Sequence, residues 1–96
     1  MPRALKAFIA DTFEIAASYH REGNLDAALR LYQGVICAEG RHFEALVGLG
    51  EIHAQRGRFV EASRLFRQAA LVSSYSLDAR RNLWAALRRI NRRCRR

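Results

Sequence analysis

Three histidines, two cysteines and a pair of glutamates are the residues of this chain whose chemistry goes beyond packing, and their spacing argues against catalysis. His20, His42 and His53 do not fall four apart on one helix, and Cys37 and Cys94 lack the separation of metal ligands. No glycine-rich strand-to-helix segment is present to cradle a phosphate. Glu44 and Glu51 lie seven apart and share a helix face, but two carboxylates on an open surface read as solvated groups and not as an acid/base pair. The expectation is therefore no catalytic residue, no metal and no cofactor. His53 is read as a core residue, His20 as lining a groove, and His42 as shaping the start of a helix. Two cysteines so far apart form no disulfide framework, so reduced thiols and a cytoplasmic location are expected, with Cys37 in the core and Cys94 in a basic tail that favours its thiolate.

The other chemistry in the chain is that of arginine. Residues 1–79 balance nine basic against nine acidic side chains, whereas residues 80–96 hold eight arginines and no acid, so the formal charge of +8 resides in the last seventeen residues. On a helix, Leu83, Leu87, Ile90 and Cys94 make one stripe, while Arg81, Arg88, Arg89 and Arg92 occupy another side. Such a segment can bind nucleic acid or an acidic surface, or it can be the solvated outer face of a terminal unit. Trp84 is the one aromatic in the run and lies towards the apolar side, which gives little for base stacking.

The elements that must position these residues announce themselves by repetition. Ala16, Tyr19, Gly23, Ala28 and Tyr32 return 34 residues later as Gly50, His53, Gly57, Ala62 and Phe66, and Leu25/Phe59, Arg30/Arg64 and Leu31/Leu65 extend the match. Within each segment apolar residues recur at three and four, as in Ile9, Phe13, Ala16 and in Leu25, Ala28, Leu29, Tyr32, which places them on one helix face. Small residues at Ala16, Ala28, Gly50 and Ala62 allow paired helices to approach, and Tyr19, Tyr32 and Phe66 are expected to fill the space beside them. Gly23 and Gly57 stand where each first helix must stop, because glycine enters the left-handed conformation cheaply. This spacing predicts helices over 3–21, 25–39, 42–55 and 59–72, with Asn24 or its neighbour capping the second, and a fifth capped by Ser76 that reaches about Arg92.

A period of 34 with this placement of small and aromatic residues resembles the tetratricopeptide repeat family. The first repeat spans 9–42, with Ile15, Ala16 and Tyr19 on its first helix and Ala28, Tyr32 and Val35 on its second. The second spans 43–76, with Leu46, Leu49, Gly50 and His53, then Ala62, Phe66 and Ala69, and 77–96 forms a capping helix and basic tail. Thr12 departs from the family's aromatic or aliphatic residue, His53 replaces its tyrosine, and Gly40 and Ser74 replace its closing proline. The resemblance implies a single all-α domain of five helices, a right-handed superhelical stack of two hairpins and a cap. It also implies a non-catalytic adaptor, scaffold or co-chaperone that holds a peptide or helical segment in a concave groove.

By the family's stacking, the groove would be formed by Phe13, Ala17, His20 and Arg21, by Glu44, Val47, Glu51 and Gln55, and by Arg81 and Arg88, with Ala10 and Ala85 at its margins. The carboxylate-clamp subgroup is a poor fit, since the matching places hold Phe13, Ala17, Gly48 and Asp78 and only Asn82 suits that chemistry. Trp84, Leu87 and Ile90 either cap the open end or form a surface through which the chain self-associates, as a homodimer or structural assembly unit. The first ten residues hold no long apolar stretch and nowhere do eighteen uncharged apolar residues run together, so neither a secretory signal nor membrane insertion is expected.

Overall fold

The structure, a computed structural model, describes residues 2–73, 81–85 and 88–89. Among them the regular elements are helices: α1 (Arg3–Glu22), α2 (Leu25–Ala38), α3 (Phe43–Gln55) and α4 (Phe59–Val72). Residues 81–85 and 88–89 are also helical. The fold is an all-α stack of helical hairpins, α1 on α2 and α3 on α4, joined by packing of α2 on α3 and by a smaller contact of α1 with α3. The proposed cap at Ser76 lies outside the described residues, as do Leu87, Ile90, Cys94 and the arginines from 92 onward.

Each hairpin turns the same way because each has the same glycine. Gly23 and Gly57 take φ of 85° and 77°, which carries the chain out of the helix. The reversal is fixed by equivalent hydrogen bonds: Asn24 N–H donates to the Tyr19 carbonyl at 2.9 Å, and Arg58 N–H donates to the His53 carbonyl at 2.8 Å. These are the bonds of a helix closed by a left-handed residue. The Asn24 side chain then accepts from Ala27 N–H at 3.4 Å to open α2, and His42 Nδ1 accepts from Ala45 N–H at 3.1 Å to open α3. His42 thus shapes the start of a helix by capping it.

Helix α3 lies between two partners, and its glycines make the room. A methyl group placed on Gly48 would meet the Tyr32 ring of α2 at 2.5 Å, and one on Gly50 would meet the Phe66 ring of α4 at 2.6 Å. Ala16, Ala28, Tyr32 and Val35 of the first hairpin join Ala45, Leu49 and Ile52 of α3 in the largest buried cluster, which also contains Ile9. Ala62 and Phe66 form a second, against which Leu83 of the C-terminal segment packs. Leu83 stands 34 residues after Leu49, so the stacking register continues beyond α4. An exposed ion pair, Arg56 to Asp26 at 2.5 Å, ties the end of α3 to the start of α2. That guanidinium holds the Asp26 carboxyl below the usual carboxylate range, chiefly through its hydrogen bond.

Three expectations are corrected. Tyr19, expected to fill space beside the helix pair, is exposed, as is Ile15 on the same face, because nothing among the described residues lies over that face of α1. Cys37 is exposed as well, since α2 turns Val35 inward and leaves Cys37, two residues on, facing solvent. The helix bounds differ from the expected ones by a residue at the end of α1, the end of α2 and the start of α3.

Candidate groove between the hairpins

Helices α1 and α3 present neighbouring faces, and side chains from both line a cavity of about 460 Å³. Phe13 and His20 come from α1, Tyr32 from α2, Phe43, Glu44, Val47, Gly48 and Glu51 from α3, and Arg81 and Asn82 from the C-terminal segment. Spacing explains the α3 row: Glu44, Val47, Gly48 and Glu51 recur at three and four and so share a face. Lacking a side chain, Gly48 leaves the Tyr32 ring as the floor at that point.

The floor is aromatic and held from several sides. Phe13 packs on Tyr32 with ring centroids 5.9 Å apart and on His42 at 5.1 Å. His20 meets Tyr32 edge-on at 5.8 Å, and its Nδ1 lies 3.2 Å from the Tyr32 hydroxyl. Burial raises the Tyr32 phenol above its usual range, the Glu51 carboxylate adds to that, and Arg21 opposes it. The hydroxyl therefore remains a neutral hydrogen-bonding group throughout the physiological range, sharing a proton position with His20 that the imidazole tautomer decides.

A second cavity of about 470 Å³ continues the first across α3. It is lined by Ala54, Gln55, Phe59, Phe66, Ala85 and Arg89, and it shares Glu51 and Asn82 with its neighbour. Arg89 stacks over the Phe59 ring at 5.3 Å from the centroid, a cation–π contact that seats the C-terminal segment against α4. Together the two cavities form one trough from α1 to residue 89, apolar at its base and charged at its rim.

Of the expected groove residues, Phe13, His20, Glu44, Val47, Glu51 and Arg81 line the first cavity and Gln55 the second. Ala17, Arg21 and Arg88 line neither; Ala17 is half-buried and the two arginines are exposed. Ala10 lines a separate hollow with Lys6, Ile9, Glu39 and His42. Spacing along single helices did not find Tyr32, Phe43, Phe59 or Arg89, because each reaches the trough through contact between helices.

His53, expected in the core, is only partly buried because it stands in the last turn of α3, and it sits outside the trough with its Nδ1 enclosed and without a hydrogen-bond partner among the described residues. Desolvation, assisted by Arg58, lowers its pKa below the usual imidazole value. Among the described residues no cluster of His, Cys, Asp or Glu could hold a metal ion, and no helix is long and apolar enough to cross a membrane. A family model described as Tetratricopeptide repeat matches residues 19–89. No curated protein matches the sequence.

Proposed function

As the chain belongs to the tetratricopeptide repeat family, whose members generally mediate protein–protein interaction and are generally non-catalytic, we propose that it is an adaptor, scaffold or co-chaperone that holds a segment of a partner protein in the trough. In this reading the repeats over 9–42 and 43–76, with a cap from 77, act as one binding surface. The observation that carries it is the juxtaposition of an aromatic base, Phe13, Tyr32 and Phe43, with a rim of both charges, Glu44, Glu51 and Arg81. Apolar anchors of an extended or helical segment would desolvate on the base while its polar groups meet the rim.

Arginine-rich recognition of nucleic acid or an acidic surface is the weaker reading. Of the described arginines in that segment, Arg89 is engaged with Phe59 and Arg81 turns to the trough. The discriminating experiment is a pull-down in which Val47→Asp and Phe13→Asp are compared with a chain lacking residues 90–96, which keeps the Arg89–Phe59 contact of the trough. Loss of about tenfold or more in the groove variants, with the truncated chain still binding, is expected for a buried apolar contact. Retention in the groove variants and loss on truncation would defeat the groove reading. Glu44→Lys, an exposed change that leaves packing intact, guards against misfolding of the Phe13 variant.

A further inference from the structure

Helix α1 carries an apolar face that its own hairpin leaves open. Leu5, Phe8, Ile15 and Tyr19 are all exposed, Phe8 to 63% and Ile15 to 51%. With Thr12 they alternate in steps of three and four, which lines them up along the helix. One repeat later Thr12, Ile15 and Tyr19 correspond to Leu46, Leu49 and His53 of α3. There Leu46 and Leu49 are buried, in clusters that include side chains of α2. The stripe on α1 is thus the face that this architecture closes with another helix.

Charge indicates which helix. Asp11 stands three residues after Phe8 and four before Ile15, Glu22 stands three after Tyr19, and both are exposed. None of the α1 cations Arg3, Lys6 and Arg21 stands three or four residues from a member of the stripe, so its border is acidic. At the other end of the stack Trp84 is 62% exposed, with Arg81 three before it and Arg88 four after it, both also exposed. We propose that copies of this chain associate head to tail, the Trp84 face of one seating on the Leu5–Phe8–Ile15–Tyr19 stripe of the next, with Arg88 against Asp11 and Glu22. Pairing of two α1 stripes about Thr12 would instead bring Asp11 beside its own copy, a like-charge contact that disfavours a symmetric dimer. Because the two faces differ, the contact is heterologous and adds chains in rings or rows. It is independent of the groove reading, and the variants that test it leave Arg81 at the trough untouched.

Sedimentation of the full chain over a range of concentrations provides the test. The weight-average mass of the unaltered chain should climb with concentration, and less so at about 0.5 M salt, where the Debye length is a few ångströms. Phe8→Glu with Ile15→Glu, and separately Trp84→Ala with Arg88→Glu, should each weaken association at least tenfold. Mixed in equal amounts the two variants should form a one-to-one dimer and nothing larger, since each contributes one intact face. A chain that stays monomeric throughout, a Trp84 variant that associates as tightly as the parent, or a mixture that remains monomeric would each overturn the proposal. Phe8→Ser and Trp84→Gln repeat the pairing with milder changes, and circular dichroism of every variant should match the parent.

Discussion

Helices α1 and α3 occupy the same place in their repeats, yet α3 is enclosed and α1 has one side in water. Ile15 and Leu49 are equivalent, and the first is 51% exposed while the second is 5% exposed. Residue type does not make that difference, since both are branched aliphatics at the same register. The neighbour does: α3 packs on α4 of its own hairpin and on α2 of the preceding one, whereas α1 has no preceding hairpin among the described residues. In such an array burial belongs to the interface between units and not to the unit itself, so stability should be concentrated where units meet.

The largest effect follows directly. Leu49→Ala should cost about 2–5 kcal/mol, whereas Ile15→Ala should fall within about 0.5 kcal/mol of the parent, both read from urea unfolding. Equal costs would break the comparison. A smaller contrast concerns backbone approach. Gly48→Ala drives a methyl group into the buried Tyr32 ring, so a loss of about 1–3 kcal/mol from overpacking should exceed the gain of about 1 kcal/mol in helix propensity. Its counterpart one repeat earlier is Glu14, which is exposed, and Glu14→Ala should change stability by no more than about 0.5 kcal/mol.

The smallest contrast is one of pH. His53 has a lowered folded pKa, so as the medium is acidified the unfolded chain binds the proton first, near the ordinary imidazole value of about 6.5. Stability should therefore decline as pH falls from about 7 through 6.5 towards the lowered folded value, and this contribution should level off below it. His53→Tyr, which places in α3 the residue that Tyr19 supplies in α1, should remove that part of the pH dependence. The urea midpoint between about pH 7.5 and pH 5.5 measures it, and an unchanged slope in the variant would assign the effect elsewhere.

The same distinction explains what was legible in the sequence. The turns at Gly23 and Gly57, the helix faces of Ile9, Ala16 and Ala28, and the all-α stack are properties of local spacing and could be read from one strand of text. The Glu44, Val47 and Glu51 row of the trough came from the resemblance to the family's stacking, and only the shared face of Glu44 and Glu51 was readable from their spacing. Burial of Ile15 and Tyr19 was not, because an apolar residue in a repeat motif is buried only when the adjoining unit is there to cover it. Cys37 was expected in the core, but its position two residues after Val35 put it on the opposite side of α2. Phe43 and Arg89 required knowledge of how helices sit against one another, which no single-helix periodicity supplies.

Site-directed photo-crosslinking tests the central claim that the trough is where a partner binds. With the photoreactive residue placed in turn at Glu44 and Val47 in the trough, and at Arg64 and Gln68 on the exposed side of α4, the crosslinked protein is identified by mass spectrometry. The expected result is one partner captured from positions 44 and 47 but not from 64 and 68, with the Glu44 crosslink abolished by Val47→Asp. Capture of the partner from the α4 positions, or a Glu44 crosslink that survives Val47→Asp undiminished, would contradict the account.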